Sequence, residues 1–154
     1  MFDKSLVTVG IRPTTSNEAI REVGKLLFKN GYVKKSFVDA VICREEEFAT
    51  GLPLGEINVA VPHTDPEHVR KAGIAVGVLT EPVEFTVMGS VDEVIPAQVV
   101  FMLALKDAEE QVEVLQKLCT VLQRKEVVHS LVQTQNSDQV MEILETHFSK
   151  SQVD

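Results

Sequence analysis

The sequence predicts an α/β fold in which helices cover both faces of a central mixed β-sheet, as a three-layer α/β/α sandwich. Short apolar runs rich in Val, Ile and Ala are the first observation, because such runs fit strands that are covered on both faces. Amphipathic segments with apolar residues at helical spacing are the second. The third is the absence of repeats and linkers in 154 residues, 44% of them hydrophobic, which indicates a single domain over residues 1–154.

The first half of the chain contains one predicted strand and two predicted helices. Ser5–Val9 has the residue types of a strand. A helix is expected to begin within Thr15–Glu18, where an N-cap residue precedes an acid, and to end at Asn30-Gly31. A second helix is predicted over residues 36–47, and the turn-rich loop Ala49–Gly55 follows it.

The second half of the chain supplies the rest of the sheet and further helices. Three apolar runs are short enough for strands, namely Ile57–Val61, Gly73–Leu79 and Ala97–Leu105. Three predicted helices come after them, namely Glu109–Leu122, Glu126–Val132 and Ser137–His147. This order places a sheet between two groups of helices.

Charge and cysteine content argue against several classes of partner and compartment. The net charge of −8 and the dispersed basic residues argue against nucleic acid or an anionic membrane surface as the main partner. Cys43 and Cys119 fall in separate predicted helices, and no C-x-x-C motif is present, which favours a reduced intracellular chain. No signal-peptide pattern is present, and no apolar run approaches the length of about 20 residues that a membrane-spanning helix needs. A soluble, cytoplasmic protein is therefore expected.

His63 stands where an apolar strand meets the start of a predicted helix. In the stretch INVAVPHTDPEHV, Pro62 restricts the backbone ahead of the histidine, and Asp65 is placed to cap a helix that starts at Pro66. Ligand sites in α/β sheets form at the carboxyl ends of strands, and free N–H groups at a helix start favour an anion. A histidine that closes a strand by bonding to the backbone explains the position equally well.

Three kinds of site would use an exposed histidine at this position. A metal site needs three or more ligands. His63 and His68 are five residues apart and would not share a helix face, and although Asp65 could join them, no second cluster of ligands is evident. A Ser-His-Asp site lacks the G-x-S-x-G turn. A neutral imidazole that is itself the nucleophile needs only an anion cradle and a cation. The remaining histidines, His129 and His147, are interpreted as structural.

Arg44 is the candidate cation, at the end of the apolar part of the second predicted helix. The alternative is a surface arginine paired with Glu45–Glu47, and for this residue taken alone the alternative is favoured. Cys43 beside it is interpreted as a small core residue rather than a reactive thiol. Gly51 and Gly55 permit close backbone approach or unusual backbone angles in the loop before the strand.

The spacing from Arg44 through Thr50–Glu56 to His63 resembles a known active-site signature. It is similar to that of the type-2 IIA domains of the bacterial sugar phosphotransferase system, the fructose/mannitol class. The stretch Pro62–Val69 looks most like the galactitol-type branch of that class. The resemblance covers nearly the whole chain, including the run Val100–Asp107 ahead of a leucine-striped helix.

The resemblance implies a phosphotransferase that carries a phosphoryl group on histidine. The histidine that matches His63 accepts the group from the phosphohistidine of HPr and passes it to a cysteine of a IIB protein, which phosphorylates the sugar during uptake through IIC. Arg44 matches an arginine that steadies the phosphoryl oxygens. Glu56 matches an acid that would orient the imidazole or receive a proton. The resemblance implies no metal and no cofactor.

Gln111 marks a departure from the family pattern. Mannitol- and fructose-type members place a second histidine after the strand that matches Val99–Leu105, where this chain has Gln111. A glutamine can donate a hydrogen bond to a phosphoryl oxygen but carries no charge, so the second-histidine role is either filled by the amide or absent. Two alternatives to a carrier stay open. One is a regulatory module controlled by phosphorylation of His63, and the other is a metal-dependent hydrolase.

Overall fold

The computed structural model describes residues 1–153, with side chains for residues 1–148. Two short 3₁₀ turns, Lys4–Leu6 and Pro66–His68, accompany the regular elements. In chain order these elements are β1 (Val7–Ile11), α1 (Ser16–Lys29), α2 (Phe37–Glu47), β2 (Gly51–Leu52), β3 (Asn58–Ala60), β4 (Gly73–Thr86), β5 (Val94–Ala104), α3 (Ala108–Leu122), α4 (Lys125–Val132) and α5 (Ser137–Val153).

The strands form one mixed sheet in the order β1-β4-β5-β3-β2. β1 pairs in parallel with β4, and β3 pairs in parallel with β5. The β4–β5 and β2–β3 pairs are antiparallel. The expected mixed sheet is therefore confirmed. The short strand β3, which precedes His63, lies between β2 and the much longer β5, so its position is held from both sides.

Successive residues of β5 face opposite layers of helices, which explains why its apolar run is unbroken. Phe101 belongs to a buried cluster with residues of α3, α4 and α5. Its neighbour Met102 belongs to a second cluster with residues of α1 and α2. Both side chains are fully buried. Helices therefore cover both faces of the sheet, and the three-layer α/β/α sandwich is confirmed.

Side-chain caps determine where α1 and α3 begin. The hydroxyl oxygen of Thr15 accepts a hydrogen bond from the N–H of Glu18 at 3.1 Å, and the Glu18 carboxylate accepts from the N–H of Thr14 at 2.7 Å. The carboxylate of Asp107 accepts from the N–H of Glu110 at 2.8 Å. The second cap matters for function because it holds the beginning of α3, which carries the candidate site residue Gln111.

The strands differ from the prediction mainly in length. β4 continues to Thr86, although the predicted strand ends at Leu79. Its pairing with β5 shifts register between Val78 and Val83, and the exposed residues between them interrupt the apolar pattern. β1 and β5 begin at slightly different residues from those predicted. β2 lies inside the predicted loop, because two residues carry no periodic signal.

The helix predicted after Asp65 is wrong. Only the 3₁₀ turn Pro66–His68 forms there, and the Asp65 side chain makes no capping hydrogen bond. The turn ends because Val69 has extended backbone angles and pairs with Val33 in an isolated bridge. The structure therefore provides no long helix start beside His63.

Cys43 and Cys119 are free thiols in separate helices. Cys43 is exposed, which corrects its interpretation as a core residue. The buried residues of α2 are Phe37 and Val41, which are four apart and share one face of the helix, and Cys43 lies off that face. Within residues 1–153, no helix is both long enough and apolar enough to cross a membrane.

Gly77→Ala is expected to destabilise the domain, because the added methyl group would lie 2.5 Å from Cγ2 of the buried Val23 on α1. Overpacking of this kind lowers the free energy of unfolding by about 1–3 kcal/mol. Denaturant titration would measure the change. In a Val23→Ala background the same substitution should be better tolerated, because the methyl group then occupies vacated space. An equal loss in both backgrounds would show that this contact is not responsible.

Candidate active site

His63 lies just beyond β3, after Val61 and Pro62, where the carboxyl ends of the parallel strands β3 and β5 meet. The carbonyl of Pro62 accepts a hydrogen bond from the N–H of Leu103 at 3.1 Å, and His63 itself forms a parallel bridge with Leu103. Pairing with β5 therefore extends beyond β3 to the histidine. The side chain is half-buried. His63 thus stands at a rigid strand end, the location that its sequence context predicts.

One hydrogen bond selects the tautomer of His63. Its Nδ1 lies 2.9 Å from the carbonyl oxygen of Val61. Because a carbonyl oxygen can only accept, Nδ1 carries the proton and donates it. In the neutral ring, Nε2 then keeps its lone pair. The arrangement presents one defined nucleophilic atom.

The surroundings keep the His63 ring neutral. Burial is the main cause that lowers the pKa of His63 below its usual value, and the hydrogen bond to Val61 opposes this effect. The Arg44 guanidinium lowers the pKa further, and the Asp65 carboxylate raises it. The ring therefore carries an available lone pair at neutral pH, as a nucleophile requires.

Arg44 lies in the last turn of α2 and reaches the loop that follows His63. Its Nη1 is 3.3 Å from Oδ1 of Asp65, and its guanidinium carbon is 5.0 Å from the ring centroid of Phe48. The Arg44 side chain is 35% exposed. The expected alternative, pairing with Glu45–Glu47, is replaced by this pair with Asp65. A cation thus lies near the histidine and remains accessible to a phosphoryl group.

Gln111 contacts the same loop from the other side. Its Nε2 donates a hydrogen bond to the carbonyl oxygen of Thr64 at 2.8 Å. Thr64 is a buried residue, and it directly follows His63. The amide therefore positions the backbone beside the histidine. Three of the four predicted site residues, His63, Arg44 and Gln111, thus meet at this loop.

Glu56 lies elsewhere. Its carboxylate is 3.5 Å from Nε2 of His129 on α4. Glu56 lies just before Asn58, the first residue of β3, which pairs with Ala97 on β5. His63, beyond the other end of β3, pairs with Leu103. The separation of those two positions along β5 is about 20 Å. The structure therefore does not bring Glu56 to the histidine.

His68, a second histidine near this loop, contacts Ser36 and Glu67 and is not part of a metal-ligand group among the described side chains. Nδ1 of His68 lies 2.8 Å from the Ser36 hydroxyl, and its Nε2 lies 3.6 Å from the Glu67 carboxylate. These contacts tie the 3₁₀ turn to the residues before α2. Among the residues whose side chains are described, no three His, Cys, Asp or Glu side chains are grouped as metal ligands.

Glu45 and Thr50 form a link that sequence reasoning missed. The Glu45 carboxylate accepts hydrogen bonds from the Thr50 N–H at 2.8 Å and from the Thr50 hydroxyl at 2.7 Å. Thr50 is 4% exposed, and its carbonyl accepts from the N–H of Val61 at 3.1 Å. Val61 in turn accepts from His63. A chain of hydrogen bonds therefore connects the helix of Arg44 to the candidate nucleophile.

Glu45 differs from the acids beside it by its burial. Burial raises the pKa of Glu45 to about 7, although the two hydrogen bonds from Thr50 favour the charged form. Its neighbours Glu46 and Glu47 are exposed. The sequence offered only three consecutive acids, and nothing in that run distinguishes the first from the others.

The chain matches, over residues 1–147, the family described as "Phosphoenolpyruvate-dependent sugar phosphotransferase system, EIIA 2". The chain belongs to this family. Membership confirms the resemblance inferred from the signature around His63, and with it the expectation of a phosphotransferase. The EIIA 2 match covers all the residues assigned to the site.

Two relatives in the EIIA 2 family represent different sugars. The mannitol-specific EIICBA component of Escherichia coli (strain K12) is 33% identical over 141 residues, which are 90% of this chain and 21% of that protein. The galactitol-specific EIIA component of the same strain is 27% identical over 126 residues, which are 82% of this chain and 83% of that protein. The sequence is thus similar to both types.

Two solved structures share the fold. One is the complex of enzyme IIAMTL and phosphorylated enzyme IIBMTL from Escherichia coli, with a TM-score of 0.79, 29% identity, and coverage of 95% of this chain and 99% of that chain. The other is the nitrogen regulatory protein IIA-Ntr from Neisseria meningitidis, with a TM-score of 0.72, 26% identity, and coverage of 93% and 95%. The expected fold is confirmed by both.

Arg44→Ala is expected to raise the pKa of His63, and Asp65→Asn is expected to lower it. The guanidinium disfavours a second positive charge nearby, and the carboxylate favours one. An NMR titration of the imidazole protons, carried out on each variant and on the wild type, measures both changes. A change of the His63 pKa in the same direction in both variants would contradict the opposing effects of Arg44 and Asp65.

Glu45→Gln is expected to flatten the dependence of stability on pH. The carboxyl pKa is about 7 in the folded chain, against an ordinary value of 4.5, so the folded state binds the proton more tightly. Stability should therefore fall as the pH rises between these two values, and the loss is complete above the folded pKa. Urea titrations across this range measure the slope. The exposed neighbour provides a control, Glu46→Gln, and equal slopes in the two variants would count against the burial of Glu45.

Proposed function

We propose that this chain is the IIA component of a sugar phosphotransferase system and that it acts as a phosphocarrier. His63 accepts a phosphoryl group from phosphorylated HPr and passes it to a cysteine of a cognate IIB protein, which serves uptake through a membrane IIC. One observation carries the proposal: the hydrogen bond from Nδ1 of His63 to Val61 leaves Nε2 as the nucleophile. Family membership and the nearby cation Arg44 support it.

The tautomer allows transfer without proton exchange. The lone pair on Nε2 of His63 attacks phosphorus, and a new N–P bond forms while the donor's N–P bond breaks. The donor imidazole keeps the electron pair of the broken bond. The proton on Nδ1 stays in its hydrogen bond to Val61. In the second step, a cysteine thiolate of IIB attacks the same phosphorus, an S–P bond forms, and Nε2 recovers its electron pair.

Three predicted residues receive different roles in this proposal. Arg44 steadies the phosphoryl oxygens, because a planar guanidinium matches their geometry and charge. Gln111 acts on the loop rather than on the phosphoryl group, since its amide donates to the carbonyl of Thr64. Glu56, which contacts His129 at the far end of β3, receives no role in transfer.

Within this class we propose a galactitol-type system that operates in the cytoplasm, where the soluble donor meets the carrier. The support is the stretch Pro62–Val69 and the similarity to a galactitol-specific EIIA component. Transfer rates to galactitol-type and mannitol-type IIB proteins test the assignment. Faster transfer to the mannitol-type protein would contradict it.

Phosphorylation by labelled phosphoenolpyruvate tests the carrier itself. With enzyme I and HPr present, the chain should acquire an acid-labile label, and His63→Ala should abolish it. His129→Ala is the matched control, because His129 lies on α4 and its described partner is Glu56. An unlabelled wild-type chain, or a label that persists in His63→Ala, would contradict the proposal.

A regulatory module is the second candidate function. The observation that favours it is the similarity to nitrogen regulatory protein IIA-Ntr. Both functions use the label on His63, and only a carrier passes it on. Addition of IIB therefore discriminates between them. Transfer of the label to IIB supports the carrier. A label that stays on this chain after IIB proteins of both sugar types are added supports the regulator.

Arg44→Ala is expected to slow transfer from HPr by about 100-fold, the effect of removing one donor to a developing negative charge. Thermal stability should change little, because the ion pair with Asp65 is partly exposed. Rapid-quench kinetics and a thermal melt measure the two quantities. Arg44→Lys keeps the charge but lacks the planar guanidinium, so its transfer rate should lie between those of the wild type and Arg44→Ala. Intact transfer with a lowered melting temperature would assign Arg44 a purely structural role.

A further inference from the structure

We propose that Asp65 is a positioning residue that competes with the phosphoryl group for Arg44 and thereby keeps the phosphohistidine ready to transfer. The inference rests on the proposed carrier function, which it extends with a residue that sets the balance between accepting and releasing the group. Asp65 acts through Arg44 and through its own charge, without touching the reacting atoms.

The contact between the two residues is easily exchanged. Nη1 of Arg44 lies 3.3 Å from Oδ1 of Asp65, and the side chains are 35% and 64% exposed. The described contact joins one nitrogen to one oxygen, rather than two parallel pairs. An ion pair of this kind at a solvent-accessible position contributes little free energy. Arg44 can therefore leave Asp65 when a phosphoryl group arrives on His63.

The charges of both residues reach the His63 ring. The guanidinium disfavours a positive ring and the Asp65 carboxylate favours one, so each lies within electrostatic range of the imidazole. A phosphoryl group on Nε2 would bring about two negative charges to the same place. Arg44 would attract that group, whereas Asp65, two positions along the chain, would repel it. The carboxylate thus opposes what the guanidinium stabilises.

A helix-capping role does not account for Asp65. The residue precedes only the 3₁₀ turn Pro66–His68, and its side chain accepts no capping hydrogen bond there. Its described polar contact is with Arg44, on a different element of the fold. The position of this acid is therefore explained by the cation rather than by the local backbone.

Glu67 provides a matched control on the same turn. It carries the same charge, its side chain is 74% exposed, and its described ion-pair partner is His68 at 3.6 Å. Removing its charge changes the net charge of the loop by the same amount as removing that of Asp65. Only the Asp65 substitution releases Arg44.

The expected effect is a shift in the phosphoryl equilibrium. In Asp65→Asn, Arg44 is free to hold the phosphoryl oxygens, and the repelling charge is gone. The equilibrium between phosphorylated HPr and this chain should move toward phosphorylated His63 by about 2- to 5-fold, the range expected for one partly exposed charge contact. Passage of the group to IIB should slow correspondingly. Glu67→Gln should change the equilibrium by less than about 2-fold, because its charge does not engage Arg44.

A double-mutant cycle separates this role from a general charge effect. The equilibrium is measured with labelled phosphoenolpyruvate, enzyme I and HPr for the wild type, Asp65→Asn, Glu67→Gln, Arg44→Ala and the Arg44→Ala/Asp65→Asn pair. Circular dichroism shows that each variant is folded. In the Arg44→Ala background the shift caused by Asp65→Asn should be smaller than in the wild type, because only the repulsion between the Asp65 carboxylate and the phosphoryl group is then removed.

The outcomes distinguish this inference from the proposed function. If the wild type is not labelled, the carrier function fails and this inference fails with it. If the wild type is labelled but Asp65→Asn behaves like Glu67→Gln, only the role of Asp65 is overturned. That role is likewise overturned if the Asp65→Asn shift is undiminished when Arg44 is absent.

Discussion

The hydrogen bond from Nδ1 of His63 to the carbonyl of Val61 is the contact on which the chemistry of this site depends. It assigns the proton to one nitrogen and leaves the other as the nucleophile. The carbonyl is held in place because the N–H of Val61 bonds to Thr50 and the carbonyl of Pro62 accepts from β5. Backbone pairing on both sides of the histidine thus determines which ring atom can react.

The site contains a positive charge, although the molecule as a whole is negatively charged. The net charge of −8 disfavours the approach of any anion, so attraction for a phosphoryl group must come from a nearby cation. Arg44 supplies it from the last turn of α2. The buried contact between Glu45 and Thr50 ties that turn to the strand of the histidine. The cation and the nucleophile are therefore positioned by one connected set of hydrogen bonds.

Much of the fold could be predicted from residue types and spacing. The helices α1 and α2 begin and end close to the predicted residues, because caps and apolar periodicity are local signals. The extension of β4 beyond Leu79 could not be predicted, since it depends on a register shift against a distant strand. The helix expected after Asp65 failed for a similar reason, because Val69 pairs with a residue that lies before α2.

Residue types and spacing alone determined the α/β class, the importance of His63 and the family signature that joins it to Arg44. These conclusions rest on patterns within short stretches, where apolar periodicity and motif spacing are read directly. Only the tertiary structure decided that Glu45 is buried, that Asp65 pairs with Arg44 and that Glu56 lies far from the histidine. Each of these facts depends on which segments of the chain meet in the fold. Burial and ion pairing between distant segments cannot be predicted from local sequence patterns.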